Sequence, residues 1–227
     1  IDGRVIYNLS LEMGHFKMFE DPNGFTCCIG TGMENHSKYA ANIYLHNSDV
    51  LYVSQFIASE LNWKEKGVTV KQSTLYPEEQ GTRFEIETEK STEFTLKIRH
   101  PYWLSAGELK VFVNGKKVSV KQDPESFYDI SRTWNTGDIV KVEMPFSLRL
   151  ESMPDNSNRV AVMFGPIVLA ADLGEIENPN ANDASFVPVI ISETRNPEKW
   201  LVPVSGNVNT FKSVGVGRPR DVVFRPF

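Results

Sequence analysis

The spacing of hydrophobic positions changes once along the chain, near residue 48. Ahead of that point Val5 to Leu11 reads as a short strand, Pro22-Asn-Gly24 as a loop, and the stretch behind it as a helix. Thr31-Gly-Met-Glu34 fits a capping box, with Thr31 as N-cap and Glu34 reaching back from the third helical position. Met33, Ser37, Ala40 and Tyr44 then recur at helical spacing, and His46-Asn-Ser-Asp49 supplies the turn residues that end it. No other stretch carries a strong helix signal.

From Val50 to about Leu173 the period is two. Phe94, Leu96 and Ile98 alternate with Thr95, Lys97 and Arg99, which predicts a strand with one dry and one wet face. Leu109, Val111 and Val113 run into Asn114-Gly115, a strong hairpin signal, and the chain returns through Val118 and Val120. Val140, Val142 and Met144 repeat the alternation. Val160 to Ala171 is almost wholly apolar, as expected of a central strand covered on both faces, with Pro166 marking a bulge or bend. Short strands separated by turn signals predict a mainly β fold, an antiparallel β-sandwich. After Gly174 the pattern weakens: Asn178 to Asp183 reads as a solvated loop, Phe186 to Ile191 as one more strand, and the rest as loop-rich cover or a sandwich edge.

Composition narrows the function classes. With 41% hydrophobic and 23% charged residues, the 227-residue chain has the make-up of a soluble globular protein and enough apolar material for a core. A net charge of −5 and no basic run argue against nucleic acid as a partner. No window reaches the ~18 apolar residues of a membrane span. These features leave cytoplasm and periplasm equally open. The chain lacks an initiator Met, opens inside a predicted strand and stops at a strand-like Asp221-Val-Val-Phe-Arg-Pro-Phe227, as expected of a piece of a longer protein.

The two cysteines are adjacent, Cys27-Cys28, so they cannot staple the fold and say nothing of the redox compartment. The plain reading is a pair of reduced thiols in a loop. Their position three to four residues before the expected N-cap allows a sharper one. A helix N-terminus favours thiolate, the form that acts as nucleophile and metal ligand. His15, Glu34 and His36 are possible co-ligands, but their spacing matches no zinc motif. Glu85, Glu87 and Glu89 alternate along a strand and read as a solvated face. Trp63, Trp134, Trp200 and the cluster His100-Pro-Tyr-Trp103 could stack on sugars, although aromatics in sandwiches more often pack the core.

The run Gly24-Phe-Thr-Cys-Cys-Ile-Gly-Thr-Gly-Met-Glu-Asn-His-Ser-Lys38 resembles the double-cysteine segment of glycoside hydrolase family 127, the β-L-arabinofuranosidases. Arg99-His-Pro-Tyr-Trp103, Val113-Asn-Gly115, Ser131-Arg-Thr-Trp-Asn-Thr-Gly-Asp138 and Met163-Phe-Gly-Pro-Ile-Val168 follow in the family's order. The resemblance implies the C-terminal portion of a retaining exo-glycosidase whose (α/α)₆ barrel precedes β-sandwich domains. Residues 1–48 would be the tail of the catalytic domain, with the Cys-Cys loop and one helix. Residues 49–173 would be the sandwich, and 174–227 a loop-rich extension with edge strands. By the same resemblance Cys27 is the nucleophile and a zinc ligand, and Cys28 a second zinc ligand. The family's remaining glutamate and cysteine ligands and its acid/base glutamate lie upstream. The resemblance thus implies an arabinose-containing glycan as substrate, the N-terminal catalytic domain as partner, and a piece that is inactive and holds zinc poorly by itself. A non-catalytic carbohydrate-binding or structural sandwich, presenting Tyr102 or Trp103 to a glycan in the first case, is the alternative.

Overall fold

The computed structural model describes residues 6, 19–21, 23–24, 26–119, 124–174 and 187–227. The expected strand over Val5 to Leu11 falls almost wholly outside them, as do His15, Pro22, Val120, the Asn178–Asp183 loop and Phe186. The fold is mainly β. Its described residues form one helix, α1 (Cys27–Ile43), eighteen strands and two short 3-10 turns, arranged in two compact units.

One unit comprises residues 40–147 and 165–167. It contains β1 (Tyr44–His46), β2 (Val50–Val53), β3 (Ser59–Trp63), β4 (Val68–Ser73), β5 (Gly81–Thr88), β6 (Thr92–Arg99), β7 (Lys110–Val113), β8 (Lys116–Val118), β9 (Phe127–Trp134) and β10 (Asp138–Glu143). They form a four-stranded sheet, β1-β2-β6-β9, and a six-stranded one, β3-β4-β5-β10-β7-β8. Pairing is antiparallel except between β2 and β6, which run parallel with Leu51 opposite Leu96. The alternation read from the sequence is the alternation of burial. Phe94, Leu96 and Ile98 are buried, as are Phe84 and Ile86 on β5 and Val140 and Val142 on β10.

Between the sheets these residues meet Leu51, Leu104, Met144 and Trp134 in one core. Trp134 stacks on Phe94 with centroids 5.4 Å apart, and its indole N–H donates to the Phe94 carbonyl at 3.0 Å. A buried indole loses little when its single polar atom finds a partner.

The β7–β8 hairpin turns at Asn114-Gly115, with φ of 51° and 78°, the positive values a two-residue turn requires. The Asn114 side chain does more than turn the chain. Its Nδ2 donates to Asp138 Oδ1 at 2.6 Å and its Oδ1 accepts the Ile139 N–H at 2.8 Å, tying the hairpin to β10. Desolvation pushes the Asp138 carboxyl upward, but Asn114, the Asn135 N–H and Arg132 outweigh it and hold it below the ordinary carboxylate range.

The second unit comprises residues 1–39, 148–164 and 168–227. A six-stranded antiparallel sheet is built from β11 (Leu148–Ser152), β12 (Val160–Phe164), β13 (Ile167–Asp172), β15 (Leu201–Pro203), β16 (Phe211–Ser213) and β18 (Val223–Pro226), in the order β11-β12-β13-β18-β16-β15. The short pair β14 (Val189–Ile190) and β17 (Gly217–Arg218) lies apart in a two-stranded ladder. Val162, Met163, Leu169, Trp200, Leu201, Phe211, Val222 and Phe224 are buried, and Phe164 meets Phe211 edge-on at 4.9 Å.

Two expectations are corrected here. The apolar run Val160 to Ala171 is not one central strand: it breaks at Gly165-Pro166 into neighbouring strands, and Val168 is exposed. A β-carbon on Gly165, whose φ is 53°, would overlap the Phe146 ring, so glycine is required at that break. The helix also starts earlier and stops sooner than its spacing predicts, because Thr31 does not cap it. The Thr31 hydroxyl donates back to the carbonyls of Cys27 and Cys28 at 3.3 Å each, a bond made from inside a helix. Glu34 pairs with Lys38 one turn on instead of reaching back. Tyr44 and His46 belong to β1, because pairing with β2 competes with the last helical turn.

A candidate cysteine site at the start of the helix

Cys27 and Cys28 occupy the first turn of α1 rather than a loop ahead of it. Cys27 is exposed, Cys28 is half-buried, and neither is in a disulfide. Thr26 leads into the helix: its carbonyl accepts the Ile29 N–H at 3.2 Å, and its hydroxyl donates to Glu20 Oε2 at 2.7 Å. The first turn of α1 carries no acidic residue.

The helix terminus alone does not set the protonation of the Cys28 thiol. Desolvation pushes the Cys28 thiol up from its ordinary value, the Cys27 thiol beside it pushes the same way, and so does the charge of Glu20; the Thr31 hydroxyl pulls it down. For Cys28 the upward influences prevail, contrary to the thiolate expected at a helix start. Two charges on adjacent residues cannot both be favourable without a cation between them. Glu20 is the one contributor that sequence reasoning did not single out, since it stands seven residues before Cys27 with no periodic relation to it.

Of the suggested co-ligands His15 lies outside the described residues, and Glu34 and His36 are engaged elsewhere on the helix. His36 Nδ1 lies 3.0 Å from the Gly32 carbonyl and its ring meets Tyr39 edge-on. Glu34 is committed to Lys38. Among the described residues no three His, Cys, Asp or Glu side chains cluster in a way that could hold a metal ion. Adjacent thiols are soft donors of the kind zinc takes, and zinc takes four. Two of the four is therefore what the described residues offer.

The sugar-stacking candidates divide by burial. Trp63, Trp134 and Trp200 are core residues, at most 4% exposed, and His100 is buried as well. Trp103 is half-buried and packs edge-on against Phe146 at 5.3 Å. Tyr102 stands out at 57% exposure. The acidic row on β5 is solvated, as expected, with Glu87 paired to Lys71 and Glu85 facing Arg83.

In the other segments that carry the family resemblance, several residues hold the fold together. Arg99 donates to the carbonyl and hydroxyl of Ser54. Asn114 ties to Asp138, Trp134 packs the core, and Gly165 makes room for Phe146. No helix among the described residues is long and apolar enough to cross a membrane.

Residues 50–146, most of the first sandwich unit, match the family model described as β-L-arabinofuranosidase, GH127 middle domain. Among solved structures, a GH127 β-L-arabinofuranosidase from Geobacillus stearothermophilus is 29% identical; the match covers 63% of this chain and 23% of that one, with a TM-score of 0.54. A protein described as a glycoside hydrolase is 21% identical over 98% of this chain and 40% of its own, TM-score 0.63. A GH127 β-arabinofuranosidase is 20% identical over 94% and 37%, TM-score 0.64. At those last two identities the likeness is one of fold. No curated protein sequence matches the chain. The chain spans well under half the length of each of these structures. Residues 50–146 thus match a GH127 middle domain, and the antiparallel β-rich fold of the chain is one it shares with GH127 structures.

Proposed function

We propose that the chain is the C-terminal part of a retaining, zinc-dependent cysteine glycosidase that acts on β-L-arabinofuranosides, with Cys27 as nucleophile and zinc ligand and Cys28 as a second ligand. The observation that carries the reading is the pair of adjacent thiols in the first turn of α1, Cys27 exposed, just ahead in the chain of a GH127 middle domain. When bound, zinc would keep both sulfurs deprotonated, removing the obstacle that desolvation and mutual repulsion place on Cys28.

In the reaction, Cys27 Sγ attacks the anomeric carbon while the bond to the leaving oxygen breaks. That oxygen takes a proton from an acid that this portion does not supply. Retention requires the acid on the opposite face of the sugar, about 5 Å from the nucleophile in the usual carboxylate pair. Water deprotonated by the same group then displaces the sulfur and releases the sugar. Thr31 holds the two cysteine carbonyls, so it fixes the turn that presents Sγ without touching the substrate.

With half a donor set and no acid, the 227-residue chain by itself is expected to release no 4-nitrophenol from 4-nitrophenyl β-L-arabinofuranoside and to lose zinc to a chromogenic chelator. In the intact parent, Cys27→Ser is expected to abolish turnover and Cys28→Ser to lower zinc occupancy. Turnover by the isolated chain, or a fully active Cys27→Ser parent, contradicts the proposal.

A further inference from the structure

The outward face of the sheet β3-β4-β5-β10-β7-β8 breaks a rule of strand pairing. Ser73 stands opposite Arg83, Arg83 opposite Lys141, and Lys141 opposite Phe112. The four therefore form one row across β4, β5, β10 and β7, on the face away from the core. Like charges directly opposite one another on neighbouring strands repel, and the nearby carboxylates relieve the two unequally. Lys141 donates to Glu143 at 2.8 Å. Arg83 approaches Glu85 only at 3.5 Å, both side chains about half exposed. That contact is not a hydrogen bond, and among the described residues the Arg83 guanidinium makes none. All four residues of the row line a pocket of about 760 Å³, with Glu79 and Glu143 on its wall. Among the described residues the Phe112 ring has no aromatic partner.

We propose that this pocket binds an acidic saccharide through a hexuronate unit. The sugar carboxylate takes the Arg83 guanidinium, which meets Glu85 only in a 3.5 Å ion pair and whose planar donors match a carboxylate in two parallel bonds. Lys141, one strand over and bonded to Glu143, adds a second positive charge to the row. The C–H face of the sugar ring lies on Phe112. Two interstrand steps of about 4.8 Å separate Arg83 from Phe112, a span that a sugar ring with its carboxyl group covers. Glu79 and Glu143 accept sugar hydroxyls at the wall and repel more highly charged anions. A neutral sugar would use only the ring, and a bare anion only the cations. The site does not involve Cys27 or Cys28, so its failure leaves the glycosidase proposal standing.

The test is an amide NMR titration of the 227-residue chain with a di-uronate, its neutral hexose counterpart, and acetate. Saturable shifts at Arg83, Lys141 and Phe112 are expected with the di-uronate, and affinity about tenfold or more weaker for either control. Arg83→Gln is expected to weaken di-uronate binding about tenfold and to erase the preference over the neutral sugar. Phe112→Leu, which keeps apolar bulk without a ring, is expected to weaken both sugars and leave acetate unchanged. The proposal is overturned if the di-uronate gives no saturable shifts, if acetate binds equally well, or if both variants bind like the parent chain while the rest of the spectrum is preserved.

Discussion

Asp221 is where a single atom can be made to report on the second unit. Its Oδ1 accepts from the Gly217 N–H at 2.8 Å, the Ser213 hydroxyl at 2.9 Å and the Val216 N–H at 3.2 Å, while Oδ2 accepts the Gly215 N–H at 2.7 Å. Ser213, fully buried, passes the lock on by accepting the Val222 N–H at 2.9 Å. The loops joining β16, β17 and β18 are thus gathered on one carboxylate. The amides of Gly217 and Gly215 lead in holding its pKa down to about 2 from the ordinary 3.8, against a smaller upward push from desolvation.

Because the folded value lies below the unfolded one, the contribution is fully present above about pH 4 and is lost as pH falls through about 2. A shift of that size is worth about 2 kcal/mol; screening at a half-buried group reduces it to about 1 kcal/mol. Asp221→Ala removes more, since it orphans four donors, and should cost about 2–4 kcal/mol at neutral pH. Asp221→Asn keeps a neutral oxygen for the three Oδ1 donors but turns an N–H₂ toward the Gly215 amide, for a cost of about 1–2 kcal/mol. Urea unfolding followed by fluorescence, with the buried Trp200 in the same unit as reporter, measures each variant at neutral and acid pH. The ordering alanine worse than asparagine, with the gap to the parent chain shrinking toward about pH 2, is the expected result. An alanine variant within about 0.5 kcal/mol of the parent at neutral pH, or a gap indifferent to pH, refutes the reasoning.

Other expectations are simpler. Gly165→Ala meets the Phe146 ring at a positive φ and should cost about 1–3 kcal/mol in chemical denaturation; a neutral outcome would mean the turn relaxes freely. Asn114→Ala removes the bonds to Asp138 and to the Ile139 N–H and leaves a non-glycine residue at φ 51°, for about 2 kcal/mol lost, and Asn114→Gly should recover part of that if backbone strain contributes. Cys27→Ser, at an exposed position, should leave thermal stability of the zinc-free chain within about 0.5 kcal/mol, so that any loss of activity in the parent is chemical rather than structural.

The mainly β character, the burial alternation and the Asn114-Gly115 hairpin were legible in the sequence because each is local. Period-two spacing sorts residues to two faces whatever the partner strand, and a two-residue turn needs positive φ wherever it occurs. The helix boundaries were not legible, since Thr31 and Glu34 satisfy a capping pattern equally well as interior residues bonded one turn back and one turn on. Pro166 marked a bend in the apolar run, but nothing local showed that the bend is a full reversal after which the chain pairs with itself.

The adjacent cysteines announced themselves, as did the aromatics. Which aromatics remain accessible is another matter, because Trp63, Trp134 and Trp200 differ from Tyr102 only in what tertiary packing covers. The sequence by itself determined which residues face inward on each strand and which chemical groups exist to be used. The tertiary structure decided which of them meet. Arg83, Lys141 and Phe112 lie 58 and 29 residues apart along the chain in the pairs Arg83–Lys141 and Phe112–Lys141, and strand register alone sets them side by side. Register is a property of the paired sheet, in which a slip by one residue would turn the row toward the core.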